Sequence, residues 1–339
     1  MKHISQNDPI LVAGAGGFIG GWLVRHLHET GFSHLRAVDI KPLEDWYQVC
    51  PDADSRVHDL RSLGACREAV DGVAHVFNLA CDMGGMGFIE ANRAVCMVSV
   101  LINTHLLMAG IDASVKRHFY SSSACVYNTY LQQEADVTAL REEDAYPAMP
   151  EDGYGWEKLF SERMCRNFQD DHGIQTRVAR FHNVYGPHGT YDGGREKAPA
   201  AICRKVASAK LTGADEIEIW GDGEQTRSFM YIDDCLYGTT RIMDSDIVDP
   251  INLGSAELVT INQLVDLVEA VAGIRLKRRY DLDAPKGVRG RNSDNTRIRA
   301  VLGWEPSTPL SVGIEKTYAW IYDELSSSLH SSRKAVASR

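Results

Sequence analysis

Short apolar runs alternate with amphipathic segments along the first half of the chain. Five runs have the length and the β-branched content of buried strands. They are residues 10–13, 35–38, 75–78, 118–120 and 177–180. The segments between them, such as 61–70 and 92–109, place apolar residues three or four positions apart. The pattern therefore predicts strands that alternate with helices.

Repeated strand–helix units predict an α/β fold, a doubly wound parallel sheet with helices on both faces. After residue 185 the alternation loosens. Gly and Pro are frequent from 185 to 199, and a helix is predicted near 200–209. Residues 251–254 have the composition of a late strand that returns to the sheet. We therefore expect a smaller C-terminal region that caps the sheet.

Charge and composition narrow the class of protein. The net charge of −10 argues against a nucleic-acid partner, because phosphate backbones require a basic face. No uninterrupted apolar run approaches the roughly 20 residues of a membrane helix, and residues 1–8 lack the apolar core of a secretory signal. We expect no membrane association and a cytoplasmic location.

Eight cysteines are scattered along the chain without a CxxC pair or a His/Cys spacing that suits zinc. We expect reduced thiols and no metal site.

A glycine-rich segment, Gly14-Ala-Gly-Gly17-Phe-Ile-Gly20, follows the first strand and precedes a predicted helix. Glycines there let backbone N–H groups approach a pyrophosphate closely. Asp39 ends the second strand 19 residues after Gly20, where a carboxylate accepts hydrogen bonds from an adenosine ribose and repels a 2′-phosphate. The segment predicts a dinucleotide site that prefers NAD to NADP; a bare glycine turn is the alternative.

Tyr154 and Lys158 lie four residues apart and share one helix face. A nearby ammonium is expected to lower the pKa of the Tyr154 phenol, which would then take a proton from a substrate hydroxyl while hydride passes to nicotinamide. Upstream, Ser123 ends a strand at the edge of the sheet where such folds bind ligands, and its hydroxyl can bridge the reacting oxygen and the tyrosine. In this order the three features resemble the extended short-chain dehydrogenase/reductase family.

Cys125 is the informative position within that family. The resemblance implies an Asp-Glu pair at Ala124-Cys125 in sugar 4,6-dehydratases, and a threonine at Cys125 in simple 4-epimerases. A thiol can remove a proton from carbon if a nearby cation favours the thiolate. Free cysteines are also among the most buried residues, so a purely structural role is the alternative.

Further segments make the resemblance more specific. Residues 81–88, 180–187, 193–201, 220–229 and 287–295 all resemble the GDP-mannose 3,5-epimerase family, and the resemblance runs from about residue 10 to residue 322. It implies an acid/base pair at Cys125 and Lys197 beside Tyr154, Lys158 and Ser123. It also implies a GDP-sugar substrate, bound NAD and a homodimer.

The implied chemistry is consistent with that pair. Oxidation of a hexose C4 to a ketone acidifies the hydrogens on C3 and C5, so both centres become invertible. Inversion needs one group to remove a proton and a second to return one on the opposite ring face. Cys125 is assigned as base and Lys197 as acid. Hydride returned to C4 closes the cycle.

The resemblance also assigns binding residues. The cofactor contacts are Gly14, Gly17, Phe18, Ile19, Gly20, Asp39, Asp59, Leu60, Ala80, Tyr154 and Lys158. The substrate contacts are Gly84, Ser123, Asn183, Glu196, Lys197, Lys205, Gln225 and Arg289. For Arg291, close to Arg289, two interpretations stay open: a substrate contact or an ordinary surface cation.

The predicted organisation is a Rossmann-type NAD-binding domain over 9–184, with a return to the sheet around 226–254. A substrate-binding cap would comprise 185–225 and 255–325, and residues 326–339 would form a disordered tail.

The predicted reaction is epimerisation of GDP-mannose at C3 and C5, which gives GDP-L-galactose, GDP-L-gulose or both. The family's usual Cys-x-Tyr-Pro-Glu reads Cys125-Val-Tyr-Asn-Thr129 here, a departure that leaves the sugar open. The alternatives are another nucleotide-sugar epimerase, a 4-reductase or a 4,6-dehydratase acting on a GDP-hexose or GDP-heptose. A non-catalytic NAD-binding scaffold is more remote.

Overall fold

A seven-stranded parallel sheet forms the centre of the molecule, in a computed structural model that describes residues 2–337 and the side chains of 2–330. Its strands are β1 (Ile10–Ala13), β2 (Leu35–Asp39), β3 (Asp54–Val57), β4 (His75–Asn78), β5 (Arg117–Ser123), β6 (Gln175–Phe181) and β11 (Ile251–Leu253). Their order across the sheet is β11-β6-β5-β4-β1-β2-β3. Every neighbouring pair is parallel, which confirms the predicted doubly wound sheet.

Helices cover both faces of this sheet. The helices of the first two thirds of the chain are α1 (Phe18–Glu29), α2 (Leu63–Val70), α3 (Met86–Ala91), α4 (Arg93–Val98), α5 (Val100–Asp112), α6 (Tyr154–His172) and, later, α8 (Ile232–Met243). On one face α1 packs against α8, and on the other α5 packs between α2 and α6. Since β1 and β4 are buried along their whole length, their continuous apolar runs are those of a sheet covered on both sides.

The C-terminal region packs three helices together beside the carboxyl ends of the sheet strands. These helices are α7 (Ala198–Thr212), α9 (Ile261–Ala272) and α11 (Leu310–Ala337), with α10 (Thr296–Leu302) nearby in the chain. Short strands accompany them: β7 (Val184–Tyr185), β8 (Glu216–Trp220), β9 (Thr226–Ser228), β10 (Met230–Tyr231), β12 (Leu258–Thr260), β13 (Lys277–Asp281) and β14 (Gly290–Arg291). They form three small sheets, β10-β7, β12-β9-β14 and β13-β8.

Helix boundaries follow local chemistry. Thr260 caps α9 by accepting a hydrogen bond from the Gln263 backbone N–H, and the Gln263 side chain accepts one from the Thr260 backbone N–H. Helix α6 ends at Gly173, whose φ of 78° is in the left-handed region. The start of α6 carries Tyr154 and the start of α7 follows Lys197, so two of the predicted site residues lie at helix N-termini.

The structure differs from the sequence predictions at several elements. Strand β3 was not predicted, because its sequence DSRV is polar and its side chains are partly exposed at the sheet edge. The single helix predicted over 92–109 is two helices, α4 and α5, which meet at Ser99. Residues 251–253 do return to the sheet, as β11 beside β6.

One further expectation is wrong. The disordered tail predicted from residue 326 is helical up to Ala337. The apolar stripe of α11 packs on the core through Ile321 and Leu325, and propagation of the helix beyond them is then favourable. Residues 338–339 lie outside the described part of the chain.

The segment Arg93–Asp112 is long and apolar enough to span a membrane by length and composition. Within the fold, part of that segment is buried.

Candidate active site

A cavity of about 480 Å³ opens at the carboxyl ends of β1, β2, β4 and β5. Most of the predicted cofactor contacts line it: Gly14, Gly17, Phe18, Ile19, Gly20, Asp39, Asp59, Leu60, Ala80 and Tyr154. Ser123 and Lys197 line the same cavity. Ligands of parallel α/β sheets bind at this edge, so the cavity lies where the fold predicts a site.

The glycine turn between β1 and α1 leaves no room for side chains. Gly14 has a φ of 85°, and a Cβ added there would lie 2.8 Å from the Ala80 backbone nitrogen. A Cβ on Gly20 would lie 2.0 Å from the Gly14 carbonyl oxygen. Gly17, the N-cap of α1, offers no side chain to the N–H groups of the first helical turn. These N–H groups are therefore free for an anionic group such as a pyrophosphate.

Asp39 lies at the far end of the same cavity. Its carboxylate accepts hydrogen bonds from the backbone N–H groups of Gly16 and Lys41, each at 3.0 Å. The carboxylate is thereby fixed at the end of β2, next to the glycine turn. The turn and this carboxylate together fit a dinucleotide with an unphosphorylated adenosine ribose.

Tyr154 is buried at the start of α6, and Lys158 lies beneath it within the protein. The Lys158 ammonium donates a hydrogen bond to the Ser121 carbonyl oxygen at 3.0 Å and lies 5.4 Å from the centre of the Tyr154 ring. Burial raises the pKa of Tyr154 well above its ordinary value, and the neighbouring Cys81 and Cys125 raise it further. The expected lowering of the Tyr154 pKa by Lys158 is therefore wrong for the chain alone.

The ammonium of Lys158 has a buried counter-charge, the carboxylate of Glu157. Its nitrogen lies 3.7 Å from a carboxylate oxygen of Glu157, and the other oxygen of Glu157 accepts hydrogen bonds from the hydroxyls of Tyr120 and Ser161, each at 3.0 Å. Burial lowers the pKa of Lys158, but Cys81 and Glu157 outweigh burial and hold it above its ordinary value. The lysine therefore stays a cation, and the Glu157 carboxylate is the buried negative charge beside it.

Cys125 lies in a short 3-10 helix, Ala124–Val126, that directly follows β5. Its backbone N–H donates to the Ser123 hydroxyl oxygen at 3.2 Å, which joins two of the predicted catalytic residues. Burial raises the pKa of the Cys125 thiol, as does Glu151, whereas Arg291 and Lys197 act in the opposite direction. Two cations do accompany the thiol, yet burial keeps its pKa above the ordinary value.

Arg291 is the cation in direct contact with Cys125. Its guanidinium donates to the Cys125 sulfur at 3.6 Å, donates through Nε to the Gln132 side-chain oxygen at 2.7 Å, and forms an ion pair with Glu151. All four side chains are at least nine-tenths buried. The four side chains therefore form one polar cluster inside the protein.

Lys197 is the N-cap residue of α7 and lies half-buried at the wall of the large cavity. The surrounding protein lowers the pKa of its ammonium by burial, and the thiol of Cys125 acts in the opposite direction. The partial positive charge at the N-terminus of α7 also disfavours a cation there. Lys197 therefore gives up a proton more readily than a lysine in water does.

Cys81 is a second thiol at the cavity wall, next to Tyr154 and Lys158. Burial raises the pKa of the Cys81 thiol, and the charge of Lys158 acts in the opposite direction. Cys81, Cys96 and Cys125 belong to one buried cluster with Tyr154. The sequence does not distinguish Cys81 from the other scattered cysteines.

Several predicted substrate contacts lie outside the large cavity. Glu196 accepts a hydrogen bond from the Gly194 backbone N–H at 2.7 Å, and Lys205 donates to the Glu218 carbonyl oxygen at 2.8 Å. The backbone of Gly84 is buried, with the Phe88 side chain and the Arg195 backbone next to it. Their predicted roles stay predictions.

The remaining substrate contacts are Asn183, just after β6, and Gln225 and Arg289 in the C-terminal region. Asn183 donates to the Ser228 carbonyl oxygen at 3.0 Å, and Gln225 donates to the Trp220 carbonyl oxygen at 2.8 Å. The side-chain oxygen of Gln225 is buried without a hydrogen-bond partner, so it is available to a ligand. Arg289 lines a second cavity of about 600 Å³.

The two neighbouring arginines have different surroundings. Arg289 is bound by the Asp222 carboxylate at 2.8 and 2.9 Å, whereas Arg291 reaches Cys125. Sequence reasoning preferred Arg289, because the pattern Arg-Gly-Arg does not show which side chain turns inward. It also missed Glu151, since a carboxylate in a loop carries no signal that it pairs with a distant arginine.

The described residues contain no cluster of metal ligands. Among them no group of three or more His, Cys, Asp or Glu side chains could hold a metal ion. All eight cysteines are free thiols.

Comparisons with known proteins agree with this geometry. Residues 10–254 match the model of the NAD dependent epimerase/dehydratase family. The chain is 45% identical over 322 residues to GDP-mannose 3,5-epimerase 1 of Oryza sativa subsp. japonica, which covers 95% of this chain and 83% of that protein.

Solved structures give the same fold. A UDP-glucose 4-epimerase of Thermotoga maritima superposes with a TM-score of 0.84 at 24% identity, over 94% of this chain and 99% of that chain. MoeE5, solved with UDP-glucose and NAD, gives a TM-score of 0.78 at 28% identity, over 94% and 99% of the two chains. The architecture is thus that of enzymes solved with nucleotide sugars.

Proposed function

Because the chain belongs to the NAD dependent epimerase/dehydratase family, we propose that it epimerises a GDP-linked sugar, GDP-mannose, at C3 and C5. The observation that carries the proposal is that the thiol of Cys125 and the ammonium of Lys197 both lie close to Tyr154. Each of the two groups shifts the pKa of the other. A 4,6-dehydratase would need a carboxylic acid at this position to protonate a leaving hydroxyl, and Ala124-Cys125 offers none.

The reaction begins and ends at C4 of the sugar. When bound, NAD supplies removal of a hydride from C4 and its later return. The glycine turn, the first turn of α1 and Asp39 would hold the cofactor. Tyr154 takes the proton of the C4 hydroxyl and gives it back, and Ser123 orients the C4 oxygen.

The two inversions are the work of Cys125 and Lys197. With C4 as a ketone, loss of a proton from C3 or C5 gives an enolate. The Cys125 thiolate removes the proton and becomes a thiol, and the Lys197 ammonium delivers a proton to the opposite ring face and becomes an amine. The stereocentre is then inverted, and protons are conserved.

The stereochemistry of mannose requires the same pair to act twice. The hydrogens on C3 and C5 of the mannopyranose ring lie on one face, so one base and one acid placed across the ring reach both centres in the same roles. Cys125 must therefore lose a proton and Lys197 must regain one between the two inversions. The raised pKa of Cys125 and the lowered pKa of Lys197 bring the two groups closer in proton affinity, which makes this exchange easy.

Deuterium exchange tests the proposal directly. Purified protein with GDP-mannose in deuterated water should place deuterium at C3 and C5, and NMR should show GDP-L-galactose, with GDP-L-gulose from inversion at C5 alone. No exchange at either carbon contradicts the proposal. A panel of other GDP-hexoses and GDP-heptoses run in parallel identifies the preferred sugar.

We further propose that the enzyme is a homodimer that uses α5 and α6. Large apolar side chains are exposed on neighbouring surfaces of these helices and α4: Val95, Met97, Leu101 and Met108 on the one side, Trp156 and Phe160 on the other. A second copy would bury this surface, which also explains why the segment 93–112 is so apolar.

We propose a cytoplasmic location because all eight cysteines are free thiols. Three of the eight free cysteines, Cys81, Cys96 and Cys125, share one cluster at the site. Such an arrangement favours a reducing compartment, where thiols are kept from oxidation.

A further inference from the structure

The buried ion pair of Arg291 and Glu151 stands directly behind the proposed base. The guanidinium uses three separate nitrogens, one each for Cys125, Gln132 and Glu151, so its plane is fixed. Gln132 is itself held, since its side-chain nitrogen donates to the Asn128 carbonyl oxygen at 3.2 Å. The position of the cation relative to the sulfur is therefore set by its other two partners.

Glu151 is tied to Cys125 a second time through the backbone. Its N–H donates to the Cys125 carbonyl oxygen at 3.1 Å. One oxygen of its carboxylate meets Arg291, and the other is buried without a hydrogen-bond partner. A carboxylate oxygen left unpartnered inside a protein is costly, so a purely structural ion pair is a poor explanation of this placement.

We propose that Glu151 is a positioning residue that, through Arg291, keeps the Cys125 thiolate a strong base. The inference rests on the proposed function, since it assigns Cys125 the removal of protons from carbon. Glu151 does not touch the substrate in this scheme. It holds Arg291 against the sulfur and at the same time compensates the charge of Arg291.

The charge of Arg291 needs to be compensated by Glu151. A lone guanidinium against the sulfur would stabilise the thiolate strongly, and a strongly stabilised thiolate removes carbon-bound protons slowly. The Glu151 carboxylate opposes that stabilisation: Arg291 lowers the pKa of Cys125 and Glu151 raises it.

The other polar and titratable groups that act on Cys125 come from every side of the site. They are Ser123, which acts through a hydrogen bond, and Lys197, Tyr154, Lys158 and Arg227. The charge of Lys158 is paired with that of Glu157. The guanidinium of Arg227 donates hydrogen bonds to carbonyl oxygens, those of Thr226 and Val288 among them. Among the described side chains that act on the thiol, Glu151 is therefore the carboxylate that opposes Arg291.

Replacement of Glu151 by Gln tests the inference, because it removes the charge and nearly keeps the shape. The holoenzyme is treated with iodoacetamide over a range of pH, and alkylation of Cys125 is followed by peptide mass spectrometry. The midpoint of alkylation should move to lower pH by about one unit, a tenfold change in the proton equilibrium of the thiol. In the same variant kcat measured at pH values where the wild-type thiol is fully ionised should fall, by up to about tenfold, with KM nearly unchanged, because the thiolate is then the weaker base.

Matched variants separate charge from shape. Glu151→Asp keeps the charge, so its alkylation midpoint should not fall below that of the wild type, and any withdrawal of Arg291 from the sulfur would raise it. Asp152→Asn removes the next carboxylate along the chain, an exposed group paired with Arg93 at 3.0 Å, and should leave both alkylation and turnover unchanged.

Each outcome supports or overturns the inference about Glu151. If wild-type protein exchanges deuterium into the sugar and Glu151→Gln neither lowers the alkylation midpoint nor reduces kcat, the inference is overturned and the proposed function stands. If wild-type protein exchanges at neither carbon, the proposed function fails and the role of Glu151 fails with it. A shift to lower pH in Gln but not in Asp supports the inference.

Discussion

Tyr154 shows how far burial dominates single residues at this site. A lysine lies four positions away on the same helix, yet the pKa of the phenol is raised, because burial leaves little solvent to stabilise a phenolate and the neighbouring Cys81 and Cys125 raise the pKa further. The chain alone therefore keeps Tyr154 protonated. Its conversion to a base requires additional positive charge within the cavity.

Replacement of Cys125 by Ser should separate cofactor binding from proton transfer. A serine hydroxyl is too weak an acid to supply a base at this site, so deuterium exchange at C3 and C5 should fall by about a hundredfold or more. Bound NAD, measured after desalting by its absorbance on release, should be unchanged. Exchange within a few-fold of the wild type would remove Cys125 from the mechanism.

The Cys125–Lys197 pair should give a narrow bell-shaped pH profile. The productive form, thiolate with ammonium, has lost one of the pair's two protons, so the rate rises with pH as the first proton leaves and falls as the second leaves. A raised Cys125 pKa and a lowered Lys197 pKa bring the two limbs together.

Initial rates measured with saturating GDP-mannose would show this. The rate should rise above about pH 8, since the Cys125 pKa lies above the ordinary thiol value of about 8.5, and should decline before an ordinary lysine near 10.4 loses its proton. A profile that is flat across this range would mean that neither group limits turnover.

The residues proposed for the chemistry are the ones that the sequence identifies best. Cys125, Tyr154 and Lys197 stand in motifs whose neighbours are specific enough to be aligned. In the structure Tyr154 shares a buried cluster with Cys125 and lines the same cavity as Lys197. Arg291 and Glu151 come from distant loops and meet only after folding. No local pattern reports such a pair.

At the scale of elements, the β1–α1 turn has the least tolerance for change. Gly20→Ala would place a methyl group 2.0 Å from the Gly14 carbonyl oxygen, so the turn must open and the N–H groups of α1 must move away from the pyrophosphate position. Retention of NAD on desalting should be lost.

A glycine in a different helix gives the control for that change. A methyl group added at Gly64 in α2 would meet only the Ser62 hydroxyl oxygen, at 3.7 Å, an ordinary contact. Gly64→Ala should retain NAD and raise the free energy of unfolding by about 0.5–1 kcal/mol, since alanine is the better helix former. Equal NAD retention in both variants would contradict the assigned role of the turn.

The elements could be predicted where hydrophobic periodicity is strong. Strands β1 and β4 are buried throughout, and their bounds match the prediction. Strand β3 is polar at a sheet edge, and the break at Ser99 depends on how α4 and α5 pack, so neither has a sequence signal. The helical extension of α11 beyond residue 325 was missed because residues 326–328 are three consecutive serines, which carry no apolar periodicity.

At the scale of the whole molecule, the exposed apolar surface on α5 and α6 makes assembly testable. Phe160→Lys places a charge in the proposed interface and should convert a dimer to a monomer in sedimentation at equal concentration. Val301→Lys changes an equally exposed apolar residue on α10 and should leave the assembly as it is. If both variants sediment like the wild type, α6 lies outside the interface.

The base and the acid belong to different parts of the molecule. Cys125 follows β5 in the central sheet, whereas Lys197 begins α7, which packs against α9 and α11. A small tilt of α7 would shift the ammonium and leave the thiol where it is. Substitutions in the α7–α11 packing, far from either reactive atom, can thus tune whether one stereocentre or two are inverted, so that the ratio of products could diverge between relatives whose catalytic side chains are identical.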